Sequence, residues 1–256
     1  MPIRTQDSQS IMMPCSLSEN ESQVFIQSIT HELYKGKKIR INFSELTNIN
    51  SSQVGLIWKM FQICKQAGAD LILCKVSKQI MNVFKMLDLD TFLNFEELTF
   101  SNDKNQTSRD IKIKKVISIE KSFIPTVEDI DSVKHEIKNL LTETDLNDQF
   151  IYELETIFYE VATNIRLHAT NLTKENVQFS LLYEKNEITI EFIDYGDKFD
   201  PISAKKKYNP NKSISIKQKN GFGINMIDKM TDKMYYKREN NRNILRLTKI
   251  LRGQNV

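Results

Sequence analysis

The feature that most constrains the fold is a polar interruption in the middle of this 256-residue chain, SNDKNQTSRD at residues 101–110. The interruption contains no large apolar residue and no hydrophobic periodicity, which is typical of a linker between domains. Apolar residues follow different patterns on its two sides, and the chain is long enough to form two cores. We therefore predict a first domain at 1–100, a linker with the start of a strand at 101–116, and a second domain at 117–256.

In the first half, short apolar strands alternate with amphipathic helices. The spacing predicts strands at 11–15, 38–43 and 69–75, and helices at 22–34, 52–67 and 77–87. This alternation predicts an α/β layer with a partly parallel sheet.

In the second half, helices are grouped apart from strands. Isoleucines between residues 111 and 119 alternate with polar residues, as on a half-buried strand, and helical spacing follows at 126–142 and 147–170. Strands at 176–184 and 187–193 are joined by Lys185-Asn186, which predicts a tight hairpin. A helix near 222–231 and strands near 233–238 and 243–250 complete the pattern. The second half is therefore predicted to form a two-layer α+β sandwich.

The positive charge of the chain is concentrated in one segment. The 36 Lys and Arg residues against 33 Asp and Glu leave a net charge of +3. Residues 198–219 hold seven lysines and one aspartate, which gives 7 − 1 = +6, whereas residues 1–100 are neutral overall. This segment is either a solvated loop or a site for phosphate oxygens. A nucleic-acid surface is disfavoured because few aromatic residues interleave with the lysines.

Composition excludes several other classes of protein. No run of about 18 apolar residues occurs, and the N-terminus lacks the apolar stretch of a secretory signal. We therefore expect a cytoplasmic protein with no membrane partner. Neither the three histidines nor Cys15, Cys64 and Cys74 have metal-ligand spacing, so reduced cysteines in the core are expected rather than a zinc site.

Three motifs in the second half carry the candidate chemistry. In EVATNIRLHA, Glu160, Asn164 and His168 are spaced four residues apart and so share one helical face. A carboxylate and an amide oxygen are ligands that suit Mg²⁺ holding a nucleotide phosphate. The alternative is a polar stripe on the helix surface.

The second and third motifs surround the lysine-rich segment. In DYGDKFDP, Asp194 follows a strand and can accept a hydrogen bond from an exocyclic amine, while Gly196 allows close approach of a flat ligand. In NGFGINMI, Gly221 and Gly223 precede an apolar helix whose N-terminal amides can bind phosphate. Lys219, just before them, offers a counter-charge.

The order of these motifs resembles the ATP-binding domain shared by gyrase, histidine kinases and MutL, the Bergerat or GHKL fold. The resemblance covers roughly residues 117–251 and is greatest to bacterial anti-sigma-factor serine kinases. It implies ATP and Mg²⁺ as cofactors, with Asn164 coordinating Mg²⁺, Asp194 binding the adenine amine and Glu160 acting as general base. Gly196 would shape the adenine pocket and Gly221 and Gly223 would wrap the phosphates, with His168 and Lys219 completing the ATP-binding set.

Two positions depart from that family's pattern. Asn220 stands where the family's second motif usually begins with a glycine, and Asn241-Arg242-Asn243 replaces the late Gly-Thr that usually opens the final strand. The missing threonine is expected to weaken contacts on the adenine side, which favours ATP binding over efficient turnover.

The first half, over roughly residues 10–100, resembles a STAS domain, the fold of anti-sigma-factor antagonists. The resemblance is carried by Asn42-Phe43-Ser44 at a strand end, by Asn50-Ser51-Ser52-Gln53 at the turn that opens a helix, and by Leu87-Asp88-Leu89. In that family a serine of the turn is phosphorylated, which implies Ser51 or Ser52 as phosphorylation sites. The alternative role for either serine is a helix N-cap, which contributes about 1 kcal/mol.

Together the two resemblances imply a bacterial partner-switching regulator, in which an anti-sigma or serine-kinase-like domain is fused to its usual antagonist. The alternative is a non-catalytic module in which ATP controls protein interactions. The expected partners are nucleotide and proteins, namely a sigma factor or another STAS or kinase protein. By analogy with the kinase family, a homodimer through the kinase-domain sheet is a further option.

Overall fold

The computed structural model describes most of the chain as two compact units, formed mainly by the first half and mainly by the second half. The described residues are 10–15, 19–31, 33–96, 117–144, 146–168, 176–184, 186–205 and 221–251. The predicted linker at 101–116 lies outside them. Within those ranges, no helix combines the length and the apolar character needed to cross a membrane.

The first unit is an α/β layer around a parallel sheet. Its elements in chain order are β1 (Ser10–Met12), α1 (Glu19–Thr30), β2 (Lys38–Asn42), α2 (Ser51–Gln66), β3 (Asp70–Cys74), α3 (Lys78–Met86) and β4 (Asn94–Glu96). The strands pair in the order β1-β2-β3-β4, and each pairing is parallel. The predicted alternation of strands and helices is confirmed, and only the short strand β4 was missed.

The central strands of this sheet lie in the core of the unit. Ile41 on β2 and Leu73 on β3 are fully buried, and they are neighbours in the parallel register. Phe43, directly after β2, packs edge-on against Phe84 of α3 with ring centroids 6.3 Å apart. Burial of these side chains fixes the carboxyl ends of the strands, from which the turn into α2 begins.

The second unit is a two-layer sandwich of helices on an antiparallel sheet. Its elements are β5 (Ile117–Phe123), α4 (Val127–Thr142), α5 (Asp148–His168), β6 (Val177–Glu184), β7 (Glu187–Asp194), α6 (Pro201–Lys205), α7 (Gly221–Met230), β8 (Lys233–Glu239) and β9 (Arg242–Ile250). The strand order is β5-β6-β7-β9-β8. The predicted α+β architecture is confirmed, whereas the one-turn helix α6 was not predicted.

Two details of the second-half prediction lie partly outside the described residues. The strand expected from residue 111 is described from Ile117, because residues 111–116 are outside the described part of the chain. The hairpin between β6 and β7 is present in its antiparallel pairing, which ends with Glu184 opposite Glu187. Lys185 is outside the described residues, and Asn186 forms the described part of the turn.

An aromatic cluster fixes α5 on the sheet. Phe158 of α5 lies 5.7, 5.0 and 5.8 Å, centroid to centroid, from Phe123, Phe179 and Phe192 on three neighbouring strands. All four rings are buried, and pairs of this kind add to the free energy of area burial. The cluster determines which face of α5 contacts the sheet and therefore where the last turns of the helix lie.

Candidate functional site

A cavity of ≈ 490 Å³, including its open mouth, lies in the second unit between the C-terminal half of α5, the segment after β7, α7, and strands β8 and β9. The lining residues combine apolar side chains with a few polar groups, as such sites usually do: Val161, Asn164, Ile165, His168, Asp194, Asp197, Phe199, Pro201, Ile227, Tyr236, Asn243 and Leu245.

Helix α5 supplies two of its three predicted site residues to this cavity. Asn164 and His168 line the wall, and the His168 ring stacks on Phe199 with centroids 5.1 Å apart and planes 13° apart. Glu160 lies one turn earlier, is only 2% exposed, and is not among the lining residues. Asn164 is therefore at the cavity surface, whereas the Glu160 carboxyl group is enclosed in the protein.

Asp194, the last residue of β7, directs a buried carboxyl group into the cavity. Its Oδ1 accepts hydrogen bonds from the Gly196 backbone N–H at 2.9 Å and from Asn243 Nδ2 at 2.8 Å. Its Oδ2 accepts none from the part of the chain that the structure describes. Burial raises the pKa of Asp194, although the bonds from Asn243 and Gly196 and the charge of Arg238 oppose that rise.

Asn243, on β9, is a site residue that the sequence reasoning missed. It lies directly opposite Asp194 in the β7–β9 register and is only 4% exposed. Its Nδ2 also donates to the Asp197 carbonyl at 3.0 Å, and its Oδ1 accepts from Tyr236 Oη and Arg238 Nη1, both at 2.8 Å. Asn243 therefore supplies a polar contact to Asp194 on the side where the missing threonine was expected to weaken contacts.

The available signal for Asn243 was the departure from the Gly-Thr pattern at residues 241–243. From the sequence alone, the absence of Gly-Thr predicted only a lost contact. That Asn243 faces Asp194 follows from the register of two strands about 50 residues apart, which the sequence does not give. Tyr236 and Arg238 gave no sequence signal of their own, since alternate residues of an edge strand are ordinarily polar.

The predicted phosphate-binding motif is at the start of α7. Gly221 and Gly223 are the first and third residues of this helix, and Ile227, one turn later, lines the cavity. A helix N-terminus attracts anions through its backbone amides and its dipole. Lys219, like most of the lysine-rich segment, lies outside the described residues.

In the first unit, the predicted phosphorylation sites are at the start of α2. Ser51 is the first helical residue and is half-buried, and Ser52 is exposed. The helix is capped by Asn50, whose Oδ1 accepts from the Gln53 N–H at 2.9 Å, while Gln53 Oε1 accepts from the Asn50 N–H at 3.0 Å. Neither serine is the N-cap, so the capping alternative for Ser51 and Ser52 is wrong.

Gln53 also bonds the turn to the segment that follows β1. Its Nε2 donates to the carbonyls of Pro14 and Cys15, at 2.9 and 3.1 Å. Asn50 and Gln53 therefore bond to each other, and this reciprocal capping box holds the turn that carries both serines.

No cluster that could bind a metal by protein ligands alone occurs among the described residues. Groups of three or more His, Cys, Asp or Glu side chains in metal-binding geometry are absent from those ranges. The amide oxygen of Asn164 is suited to a hard cation such as Mg²⁺, which usually takes one or two protein oxygens and completes its shell with phosphate and water.

Comparisons with known proteins divide the chain in the same way as the fold does. The histidine kinase-like ATPase domain family matches residues 123–249, and the STAS domain family matches residues 11–103. A similar solved structure is the SiaB-SiaC complex from Pseudomonas aeruginosa, with 11% identity, a TM-score of 0.41, and coverage of 53% of this chain and 90% of the other.

A second similar structure contains the RsbU and RsbW domains of a Mycobacterium tuberculosis protein, with 13% identity and a TM-score of 0.39. The match covers 53% of this chain and 32% of the other, so this chain spans about a third of that protein's length. At these identities and TM-scores neither likeness indicates a function. The two family matches do identify the parts of the chain: a STAS domain at residues 11–103 and a histidine kinase-like ATPase domain at residues 123–249.

Proposed function

We propose that the chain is a partner-switching signalling regulator, in which a nucleotide-binding, serine-kinase-like domain is joined to a STAS domain of the antagonist type. The observation that carries the proposal is the cavity of the second unit. It gathers Asn164, His168 and Asp194, from motifs that are separate in the sequence, within a histidine kinase-like ATPase domain. We propose the domain boundaries 1–100 and 117–256, with the linker at 101–116.

The lining of the cavity fits ATP with Mg²⁺. Asp194 Oδ2 is available to accept a hydrogen bond from the exocyclic amine of adenine, and Gly196 holds the other carboxylate oxygen in place. Asn164 would hold Mg²⁺ together with phosphate oxygens, and Gly221, Gly223 and Lys219 would surround the phosphates. When bound, Mg²⁺ neutralises negative charge on the phosphates.

The proposed reaction is phosphoryl transfer to a serine of a STAS domain. The bond from the γ-phosphorus to the oxygen of ADP breaks and a bond to the serine Oγ forms, while the serine proton passes to Glu160 as general base. Ser51 and Ser52 are the acceptors on this chain. A phosphate there adds a charge of about −1.5 to −2 at a helix N-terminus, where the dipole favours it, and alters the surface offered to a partner.

The second candidate is a non-catalytic module in which ATP binding controls protein docking. It differs from the kinase in the role of Glu160, because a general base must come within hydrogen-bond reach of the proton that it accepts. In either case the proposed partners are proteins: a sigma factor, another STAS or kinase protein, or a second copy of this chain. The proposed location is the cytoplasm.

The proposal is tested by incubating the full chain with γ-labelled ATP and Mg²⁺, alone and with a separately purified STAS protein. Serine phosphate on either acceptor is the expected result, and substitution of Ser51 and Ser52 by alanine identifies the site on this chain. Glu160→Gln should abolish transfer and preserve ATP binding. The matched control is Glu155→Gln, which replaces another buried glutamate of α5 that pairs with Lys138 at 3.4 Å.

The outcomes separate the two candidates. Transfer that depends on Glu160 and not on Glu155 supports the kinase. ATP binding without transfer to any STAS acceptor refutes the kinase and favours the binding module. An absence of ATP binding in large excess of nucleotide contradicts both.

A further inference from the structure

We propose that Arg238 is a positioning residue for the nucleotide site, which acts through Asn243 to fix the orientation of the Asp194 carboxylate towards the base. This inference rests on the proposed binding of ATP in the cavity. Neither Arg238 nor Asn243 belongs to the motifs that indicated the site, and Arg238 itself does not line the cavity.

The Asn243 side-chain amide can adopt only one useful orientation. Its Oδ1 accepts from Tyr236 Oη and from Arg238 Nη1, so this oxygen must face strand β8. Its Nδ2 must then face β7, where it donates to Asp194 Oδ1 and to the Asp197 carbonyl. A flipped amide would place its NH₂ group against Arg238, which can only donate, and its oxygen against the acceptors Asp194 Oδ1 and the Asp197 carbonyl, which is costly in a buried site.

Arg238 is itself held in place by several hydrogen bonds. Its Nη1 donates at 2.8 Å both to Asn243 Oδ1 and to the Gly196 carbonyl, and its Nη2 donates at 2.6 Å to Asn241 Oδ1. Asn240 and Asn241 form the β8–β9 turn with φ of 48° and 60°, a left-handed conformation that asparagine tolerates better than most residues. The guanidinium therefore links the hairpin turn to the turn after β7.

The consequence concerns the two oxygens of Asp194. Oδ1 accepts from the Gly196 N–H and from Asn243 Nδ2. Arg238 holds both of these residues, since it donates to the Gly196 carbonyl and to Asn243 Oδ1. The plane of the carboxylate is thereby fixed, and Oδ2 is the oxygen presented to a ligand. Without Arg238, Asn243 Oδ1 keeps only Tyr236, whose hydroxyl can donate or accept, so the amide is less firmly oriented and the carboxylate loses its fixed geometry.

The test compares ATP with purine riboside triphosphate, which lacks only the exocyclic amine. Wild-type full chain should bind ATP about tenfold or more tightly, the value of one hydrogen bond to a charged acceptor. Arg238→Met, which keeps the aliphatic stem and removes the donors, should reduce this ratio about three- to tenfold, mainly by weakening ATP. Arg238→Lys, which keeps the charge and part of the donor capacity, should give an intermediate ratio.

The matched control is Arg246→Met on β9. It removes an arginine that donates at 2.6 Å to the carboxylate of Glu191 on β7. Its ratio should equal that of the wild type. A role in stability alone predicts that Arg238→Met weakens both nucleotides equally, and this result, or an unchanged ratio, would overturn the inference. If Arg238→Met does not fold, the inference would be overturned by an Arg238→Lys variant whose ratio of the two affinities equals that of the wild type. Failure of the proposed function is distinct, because wild-type protein would then bind neither nucleotide.

Discussion

Replacing Asp194 by asparagine should weaken ATP binding without lowering the stability of the fold at neutral pH. In the folded protein, burial raises the pKa of Asp194, so the ionised carboxylate is disfavoured relative to the unfolded chain. A raised pKa means that the contribution of this group to folding stability is full below its unfolded pKa and is lost as pH rises through the folded value. Asparagine does not titrate, and its Oδ1 can still accept from the Gly196 N–H and from Asn243.

The magnitudes follow from these contacts. Because the pKa of Asp194 is raised in the folded protein, Asp194→Asn should leave the free energy of unfolding at neutral pH unchanged or raise it. Towards pH 4 that advantage should disappear. For ATP, the new NH₂ group replaces the acceptor Oδ2 and faces the donor amine of adenine. The loss of a hydrogen bond to a charged group, about 1.5–3 kcal/mol, weakens ATP about 10- to 150-fold.

The assay is calorimetric titration with ATP and with inosine triphosphate, which carries a carbonyl oxygen in place of the amine. The variant should weaken ATP and bind inosine triphosphate at least as tightly as the wild type does, because its NH₂ group can donate to that carbonyl. Thermal unfolding at pH 4 and pH 7 measures the stability difference. Asp131→Asn, at an exposed residue of α4, is the control for the loss of one negative charge.

Two results would refute this reasoning. Equal weakening of ATP and inosine triphosphate would show that Asp194 does not contact the base. A large fall in the midpoint of thermal unfolding at neutral pH would show that its negative charge stabilises the fold, contrary to the effect of burial on its pKa.

Three further predictions concern the fold. Gln53→Ala should lower the free energy of unfolding by about 2–3 kcal/mol in denaturant titration, because it removes half of the capping box and two bonds to backbone carbonyls; an effect below that of an ordinary surface substitution would contradict it. Phe158→Ala should cost about 3–5 kcal/mol, whereas Tyr235→Ala at an exposed position of β8 should cost little; equal losses would contradict the assigned core. At pH 8 a thiol reagent should modify exposed Cys15 and spare Cys64, since burial raises the Cys64 pKa to about 11, and rapid labelling of Cys64 in folded protein would contradict this.

Most of the fold could be predicted because periodicity reports burial directly. Alternating isoleucine and phenylalanine residues marked strands of the antiparallel sheet, and helical spacing marked α5 to within two residues of its observed ends. The elements that were missed, β4 and α6, have only three and five residues. Elements this short carry no measurable period, and α6 depends on local hydrogen bonds from its backbone to Asp200.

The candidate site could be predicted only where its residues share one element. Asn164 and His168 were identified because four-residue spacing places them on one face of α5. The enclosure of Glu160 depends on how α5 is rotated against the sheet, and the contact of Asp194 with Asn243 depends on strand register, so neither is encoded locally. The Asn50–Gln53 box did have a local signal, an N-cap residue followed three positions later by glutamine.

The central claim is that the cavity of the second unit binds ATP, and titration of the full chain with ATP and Mg²⁺ by calorimetry tests it most directly. The account predicts saturable binding of one ATP per chain, which Asp194→Asn weakens about tenfold or more and Asp131→Asn leaves unchanged. An absence of binding in large excess of nucleotide, or binding that Asp194→Asn does not affect, would contradict it.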